Sequence, residues 1–172
     1  MRPRGICCLA AALLTGCGEA ALSDDPFARP AVCTSGVTRS PNASESPEMA
    51  PGRACIACHA DSNAMSGEGD APIFAFAGTV YPSAHEPDDC AASAAEGAEI
   101  RITDAKGRLF VELANAVGNF SDESGNFAYP YTAVIRYRGR EREMLDKQMT
   151  GDCNGCHTQN GAMSAPGRLL LP

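Results

Sequence analysis

The chain has 172 residues, a formal net charge of −7 at pH 7, 6% aromatic residues and no Trp. This length suits one ordinary domain with a tail, and it is too short for a large two-domain catalyst. A nucleic-acid-binding protein would show a basic field, so the acidic balance argues against nucleic acid as a partner. The acidic surface suits a basic protein partner, although plain solubility explains it equally well. The unusual feature is nine Cys beside three His.

The N-terminal residues are typical of an export signal rather than of a fold element. Arg2 and Arg4 precede an apolar run that is too short to span a bilayer and that ends shortly before Cys17. This stretch resembles a bacterial lipobox, which implies a signal peptide over 1–16 and lipidation of Cys17; an ordinary secretory signal is the alternative. Both interpretations export the chain to an oxidising compartment. The lipobox implies a lipid-anchored protein of the periplasm or cell surface, and Gly18 favours the outer membrane.

Residues 17–50 are rich in Ser, Pro, Ala and Asp and show no sustained hydrophobic period. Such a composition buries too little apolar surface to fold, so we expect a disordered, flexible tether ahead of a domain over 51–172. Cys33 and Cys90 remain after the signal, the lipidation site and two Cys pairs are assigned. An even remainder in an exported protein predicts a Cys33–Cys90 disulfide. The alternative is a Cys33 that stays free or pairs between chains.

The hydrophobic period changes to two from Ile73 onward, and this alternation is typical of strands. The alternating runs are marked by Phe74, Phe76 and Val80, by Ile100 and Ile102, by Leu109, Val111 and Leu113, and by Tyr131, Ala133, Ile135 and Tyr137. Turn signals at 104–107 and 138–140 separate some of these runs. The pattern predicts a mainly β protein, with a sandwich of six or seven strands over 73–145 and short helical segments at both ends.

A run at 97–102 is followed by an Asp-x-x-Gly-x-Phe element from Asp122 to Phe127 and then by the strand pattern of 131–137. Asp and Gly close a tight turn in such an element, and the Phe then enters the core. This arrangement resembles the carboxypeptidase regulatory-like domain, a prealbumin-type sandwich. The resemblance implies a domain that mainly scaffolds and binds, and it supplies no catalytic residues.

Two Cys-x-x-Cys-His motifs, at 55–59 and 153–157, bracket the predicted sandwich. Residues i and i+3 of a helical turn lie on one face, so two thiols with this spacing can reach the two vinyl groups along one edge of a haem. The His that follows then binds the iron. This spacing is the signature of c-type haem attachment, and it occurs twice in an exported chain. The expected covalent sites are Cys55, Cys58, Cys153 and Cys156, and the expected proximal iron ligands are His59 and His157.

Three other interpretations of the four motif Cys stay open: a four-Cys zinc site, a thioredoxin-like dithiol and two structural disulfides. A zinc site leaves both adjacent His without a role, and a thioredoxin-like dithiol needs a βαβ context that the pattern lacks. The paired motifs make the chain resemble a small bacterial di-haem c-type cytochrome lipoprotein. The resemblance implies two haem c groups and redox partner proteins, and it favours an electron carrier over an enzyme.

The sixth iron ligands are less well specified by the sequence. His85 is the one His outside the motifs, so at most one haem can have two His ligands within a chain. Met65 and Met163 share the same offset after each motif and are weaker candidates, because each follows its own His too closely to reach the opposite ring face easily. An exposed loop His and packed Met side chains are the alternatives. A Met ligand raises the potential relative to two His ligands, whereas a vacant position permits ligand chemistry.

The sequence therefore predicts a lipid-tethered di-haem cytochrome that transfers electrons in the cell envelope. A haem-based small-ligand sensor, or a peroxidase-like enzyme with one open iron site, is the second hypothesis, and the shortage of sixth ligands motivates it. The third hypothesis is a β-sandwich binding module without haem. Covalent haem content separates the third hypothesis from the other two, and carbon monoxide binding separates the first from the second.

Overall fold

The structure is a computed structural model that describes residues 33–34, 46–67 and 69–172. The predicted signal peptide over 1–16 and the predicted lipidation site Cys17 lie outside the described residues, as does most of the predicted tether. Within the described part of the chain, no helix combines the length and the apolar character needed to cross a membrane.

The described residues form two helices, α1 (Cys55–Ser66) and α2 (Cys153–Cys156), and a 3₁₀ helix over Ala91–Ala95. The strands are β1 (Phe76–Tyr81), β2 (Glu99–Thr103), β3 (Leu109–Leu113), β4 (Asn119–Asp122), β5 (Thr132–Tyr137), β6 (Arg140–Glu143) and β7 (Leu169–Leu170). The alternating runs of the sequence predicted strands in the regions of β1, β2, β3 and β5. No run marked β4, and β7 lies outside the predicted sandwich over 73–145. The helical turns coincide with the two Cys motifs. The mainly β fold class and its short helices are confirmed.

The seven described strands form two sheets. The three-stranded sheet has the order β4-β1-β7, and β1 in its centre is antiparallel to β4 and parallel to β7. The four-stranded sheet has the order β3-β2-β5-β6 and is antiparallel throughout. Because β1 is paired on both edges and all six of its residues are buried, this strand is the part of the fold on which other elements can pack from both faces.

The hydrophobic core contains side chains from both sheets. Its larger members are Phe76, Val80, Ile100, Ile102, Phe120, Tyr131 and Ile135. Phe127 packs on this cluster, with its ring centroid 5.4 Å from that of Phe76. The N–H of Ser124 donates to Asp122 Oδ1 at 2.9 Å, which forms the turn that returns the chain to Phe127. The Asp-x-x-Gly-x-Phe element thus closes a turn and brings its Phe to the core, as expected.

The apolar residues of β3 do not face the core. Leu109, Val111 and Leu113 alternate in the sequence, yet they are 49%, 43% and 62% exposed. The register with β2 is the physical reason, because it pairs Ile102, which is buried, with Phe110. Paired residues of antiparallel strands lie on the same face of the sheet, so Phe110 packs against the core and its apolar neighbours face solvent.

A disulfide and several hydrogen bonds attach the N-terminal segment to the domain. Cys33 and Cys90 form a disulfide, which confirms the pairing expected from the Cys count. Further along the chain, the side-chain amide of Asn119 donates to the carbonyl oxygens of Pro47 and Met49 at 3.2 and 2.9 Å. The end of the predicted tether is therefore hydrogen-bonded to β4.

A buried ion pair joins the loop after β1 to the C-terminal segment. The guanidinium of Arg168 contacts the carboxylate of Asp89, and these side chains are 1% and 7% exposed. Arg168 also lies over the ring of Tyr81, with its guanidinium carbon 4.4 Å from the ring centroid. The hydroxyl of Tyr81 donates to the carbonyl of Asp89 at 2.9 Å. These contacts fix the loop over 82–89 against the segment that follows the second Cys motif.

We expect Asp89→Ala to lower the free energy of unfolding far more than Glu141→Ala. Asp89→Ala leaves a buried guanidinium without its carboxylate, which costs roughly 3–5 kcal/mol. Glu141 pairs with Arg136 where both side chains are about half exposed, so its removal should cost at most about 1 kcal/mol. Urea unfolding of the two variants measures the difference, and equal losses would contradict a structural role for the buried pair.

Candidate functional site

Both Cys-x-x-Cys-His motifs begin helical turns, as their spacing predicted. Cys55 is the first residue of α1 and Cys153 the first of α2. The N–H of Cys58 donates to the carbonyl of Ala54 at 3.0 Å, and the N–H of His157 donates to the carbonyl of Cys153 at 2.8 Å. Each thiol pair therefore lies on one face of a turn. The four motif thiols are free rather than joined in disulfides.

The two motifs contact each other directly, although the whole sandwich separates them in the sequence. Asp152 Oδ2 accepts the N–H of Ala57 at 2.9 Å, and the side-chain amide of Asn154 donates to the carbonyl of Arg53 at 2.8 Å. The N-cap residue of α1, Ala54, makes no side-chain cap, so Asp152 supplies the cap from the other motif. Residues on both sides of Cys153 thus hold the first motif in place.

Two opposing effects act on the pKa of the Asp152 carboxyl. Burial raises its pKa, and the N–H groups of Ala57, Cys55 and Ile56 oppose that rise. Those N–H groups belong to the first turn of α1, where the helix dipole also favours a negative charge. The cap is therefore an electrostatic contact as well as a hydrogen bond.

Strand β1 supports both motifs through one fully buried side chain, Thr79. The N–H of Thr79 donates to Asn154 Oδ1 at 3.0 Å. Its Oγ1 accepts the N–H of Gly52 at 2.9 Å and donates to Asn119 Oδ1 at 2.7 Å. Gly52 lies just before the first motif and Asn154 lies inside the second, so one Thr fixes the two motifs relative to the sheet.

Both motif His are oriented through Nδ1. His59 Nδ1 lies 2.8 Å from the carbonyl oxygen of Pro72, and His157 Nδ1 lies 2.9 Å from that of Gly167. A carbonyl oxygen only accepts, so Nδ1 has the hydrogen and the neutral imidazole presents the lone pair of Nε2. Burial lowers the pKa of His157, which favours this neutral form. Metal-ligating His residues typically have this second contact.

Burial favours the protonated form of three motif thiols, those of Cys55, Cys153 and Cys156. It raises the pKa of Cys55 and of Cys153 to about 12, and it also raises the pKa of Cys156. A dithiol oxidoreductase needs a lowered pKa, because the thiolate is its nucleophile. The environment of these thiols therefore argues against the thioredoxin-like interpretation.

The structure gives no support to a four-Cys zinc site. Among the described residues, three potential metal-ligating side chains, those of Cys33, Asp88 and Cys90, have their ligand atoms within 4.8 Å of one another. Both sulfur atoms of that group form the disulfide, so a single carboxylate is left as a potential metal ligand. No three motif thiols within the described ranges converge as zinc ligands would.

An apolar cleft of about 440 Å³ lies beside the second motif, a volume within the roughly 300–1,000 Å³ typical of small-molecule sites. Cys153, Cys156 and His157 line this cleft together with core side chains, including Ile100, Ile102, Phe120, Tyr131 and Ile135. A Cβ added to Gly78 would lie 2.9 Å from the Cβ of Cys153, so this Gly allows the motif to pack on β1. Arg142, which is exposed, also lines the cleft and offers a guanidinium to an acidic group.

The structure places two of the three predicted sixth-ligand candidates near the second motif. His85 Nδ1 lies 2.9 Å from the carbonyl oxygen of Gln159, which follows His157 by two positions. Met163 lines the cleft and is 74% exposed. The side chain of Met65 lies outside the described part of the chain. The iron ligands themselves stay predictions.

Sequence reasoning missed Asp152, Asn154 and Thr79. Asp152 had a local signal, because Asp directly before a helical turn is a common N-cap. Its partner in α1 could not be identified, since it lies in a distant part of the chain. Asn154 and Thr79 had no local signal, because their roles depend on burial.

Comparison with known proteins identifies no relative: no family model, curated protein or solved structure matches the chain. The resemblances to a prealbumin-type domain and to a di-haem cytochrome therefore stay predictions. Any functional conclusion rests on the motifs and on the geometry around them.

We expect Asp152→Ala to weaken the first turn of α1 and to lower the free energy of unfolding by about 1 kcal/mol, because it removes the cap. Asp146→Ala is the matched control, since Asp146 is an exposed residue of the same connection and its loss should cost less than about 0.5 kcal/mol. Amide hydrogen exchange should show reduced protection in α1 for Asp152→Ala alone. Unchanged protection in that variant would contradict capping between the motifs.

Proposed function

We propose that this chain is a di-haem c-type cytochrome that transfers electrons in the cell envelope and is attached to the membrane by lipid on Cys17. The proposal rests on one observation. Two Cys-x-x-Cys turns are docked on the same strand, and each is followed by a His that presents Nε2. Zinc, dithiol and disulfide interpretations explain the thiols without explaining the two oriented imidazoles.

The residues present fit the attachment of two haem groups. Cys55 and Cys58 would hold one group and Cys153 and Cys156 the other, with His59 and His157 as the proximal ligands. Haem supplies one-electron redox chemistry when it is bound, and the chain supplies attachment, ligand orientation and burial. The hydrogen bond at each Nδ1 selects Nε2 for the iron and raises the basicity of the ligand.

The cleft beside the second motif fits an apolar ring system with acidic substituents. Its walls are mainly apolar, and the exposed guanidinium of Arg142 lines it together with the acidic residues Glu143 and Asp146. A guanidinium pairs well with a carboxylate, so Arg142 is suited to a haem propionate. If the cleft buried one side of the haem ring, electrons would pass to a partner protein at the exposed side.

The contact between the motifs favours electron exchange within one chain. Asp152 and Asn154 of the second motif region bind Ala57 and Arg53 of the first motif region. Both groups would therefore attach to neighbouring turns that pack on β1 rather than to opposite ends of the domain. The acidic surface, with its net charge of −7, suits a basic redox partner.

We expect two covalent haems per chain when the protein is produced with a c-type maturation system, as measured by pyridine haemochrome absorbance against protein concentration. Cys55→Ala/Cys58→Ala and Cys153→Ala/Cys156→Ala should each leave one haem, because each removes one pair of thioether sites. The matched control, Cys33→Ala/Cys90→Ala, removes two Cys from the disulfide and should retain two haems. Absence of covalent haem in folded, matured protein would leave the binding module as the better hypothesis.

A further inference from the structure

We propose that His85 is the sixth iron ligand of the haem attached at the second motif, so that the two haems of one chain differ in axial ligation. This inference rests on the proposed function and assigns one loop residue to one of the two irons.

The imidazole of His85 is oriented as the proximal imidazoles are. Its Nδ1 donates to the carbonyl of Gln159 at 2.9 Å, and Gln159 belongs to the segment directly after the second motif. The neutral ring therefore presents Nε2 as its lone-pair nitrogen. All three His of the chain share this pattern of a backbone carbonyl at Nδ1.

The loop that contains His85 is held on both sides of this residue. The carbonyl of Ala84 accepts the N–H of Arg168 at 2.7 Å, and the carbonyl of Glu86 accepts from the Arg168 side chain. Arg168 is itself anchored by the buried carboxylate of Asp89. A surface His without a role requires no such fixation, whereas an iron ligand must be held in one position.

Gly167 lies close to the imidazoles of both His157 and His85. Its carbonyl accepts the hydrogen of His157 Nδ1 at 2.9 Å. A Cβ added to Gly167 would lie 3.1 Å from both Cε1 and Nδ1 of His85, so a side chain at this position would crowd the ring. Ala84, next to His85 in the sequence, lines the same cleft as His157. His85 itself is exposed, and these contacts place it beside the segment that follows the second motif.

The assignment makes the two haems chemically unequal. The chain has three His, so the first haem has no second His from its own chain once His85 binds the other iron. Two His ligands lower the potential relative to His and Met, and a position without a protein ligand accepts small molecules. The pair would therefore consist of one low-potential, six-coordinate haem and one haem of different ligation.

The unmodified protein provides the first test. Low-temperature electron paramagnetic resonance and near-infrared magnetic circular dichroism distinguish an iron with two His ligands from an iron with His and Met ligands. We expect one bis-His, low-spin haem per chain, unchanged on dilution of the protein. A protein with two covalent haems and no bis-His signal, or with a signal lost on dilution, would overturn this inference while leaving the proposed function intact. A haem count of zero would overturn both.

Variants then identify the residue and the haem. In the Cys55→Ala/Cys58→Ala background the remaining haem should be low-spin and unreactive towards carbon monoxide after reduction. Adding His85→Gly should convert that haem to a high-spin form that binds one carbon monoxide, and free imidazole should restore the low-spin spectrum. Met163→Leu in the same background tests the rival ligand of the cleft. A low-spin spectrum that survives His85→Gly, or that is lost in Met163→Leu, would refute the assignment.

Discussion

The hydrogen bonds of Thr79 determine how the two motifs are arranged. Thr79 and Asn154 are fully buried, and two hydrogen bonds of 3.0 Å join them. The N–H of Thr79 donates to Asn154 Oδ1, and the side-chain amide of Asn154 donates to Thr79 Oγ1. Buried polar groups must be paired, and an unpaired one costs about 1–3 kcal/mol. The same Oγ1 accepts from Gly52, so a shift of either motif away from β1 would leave polar atoms of the interior unpaired. One polar cluster thus links two segments that the sequence separates by the entire sandwich.

A second buried contact, between Arg168 and Asp89, plays the corresponding role at the other side of the second motif. It fixes the C-terminal segment, whose Gly167 carbonyl orients His157, and it fixes the loop that contains His85. The ring of Tyr81 packs against the guanidinium of this pair. Specific orientation of imidazoles therefore depends on residues that would never touch a cofactor, as is common around metal ligands.

The sequence predicted those features that depend on local pattern. Alternation located β1, β2, β3 and β5, the Cys count paired Cys33 with Cys90, and the i, i+3 spacing predicted the helical turns of the motifs. Features that depend on residues brought together by the fold were missed. Asp152 caps a helix that begins 97 positions earlier, counted from Cys55, and the outward-facing Leu109 is explained only by the register of β3 against β2. Sequence spacing indicated which residues would attach the proposed cofactor, while the relation between the two motifs required the fold.

The core and the cleft share side chains, and this links the proposed cofactor to the stability of the sandwich. Ile100, Ile102 and Ile135 belong to the buried cluster and also line the cleft at the second motif. A ring system attached at Cys153 would continue this apolar cluster rather than lie on a finished surface, and each Å² of apolar area it covers contributes about 25 cal/mol. The chain has only 6% aromatic residues, so a large planar cofactor would supply the bulk that its own side chains lack. Attachment at the second motif would then be coupled to completion of the core, because ligands that bind the folded state stabilise it.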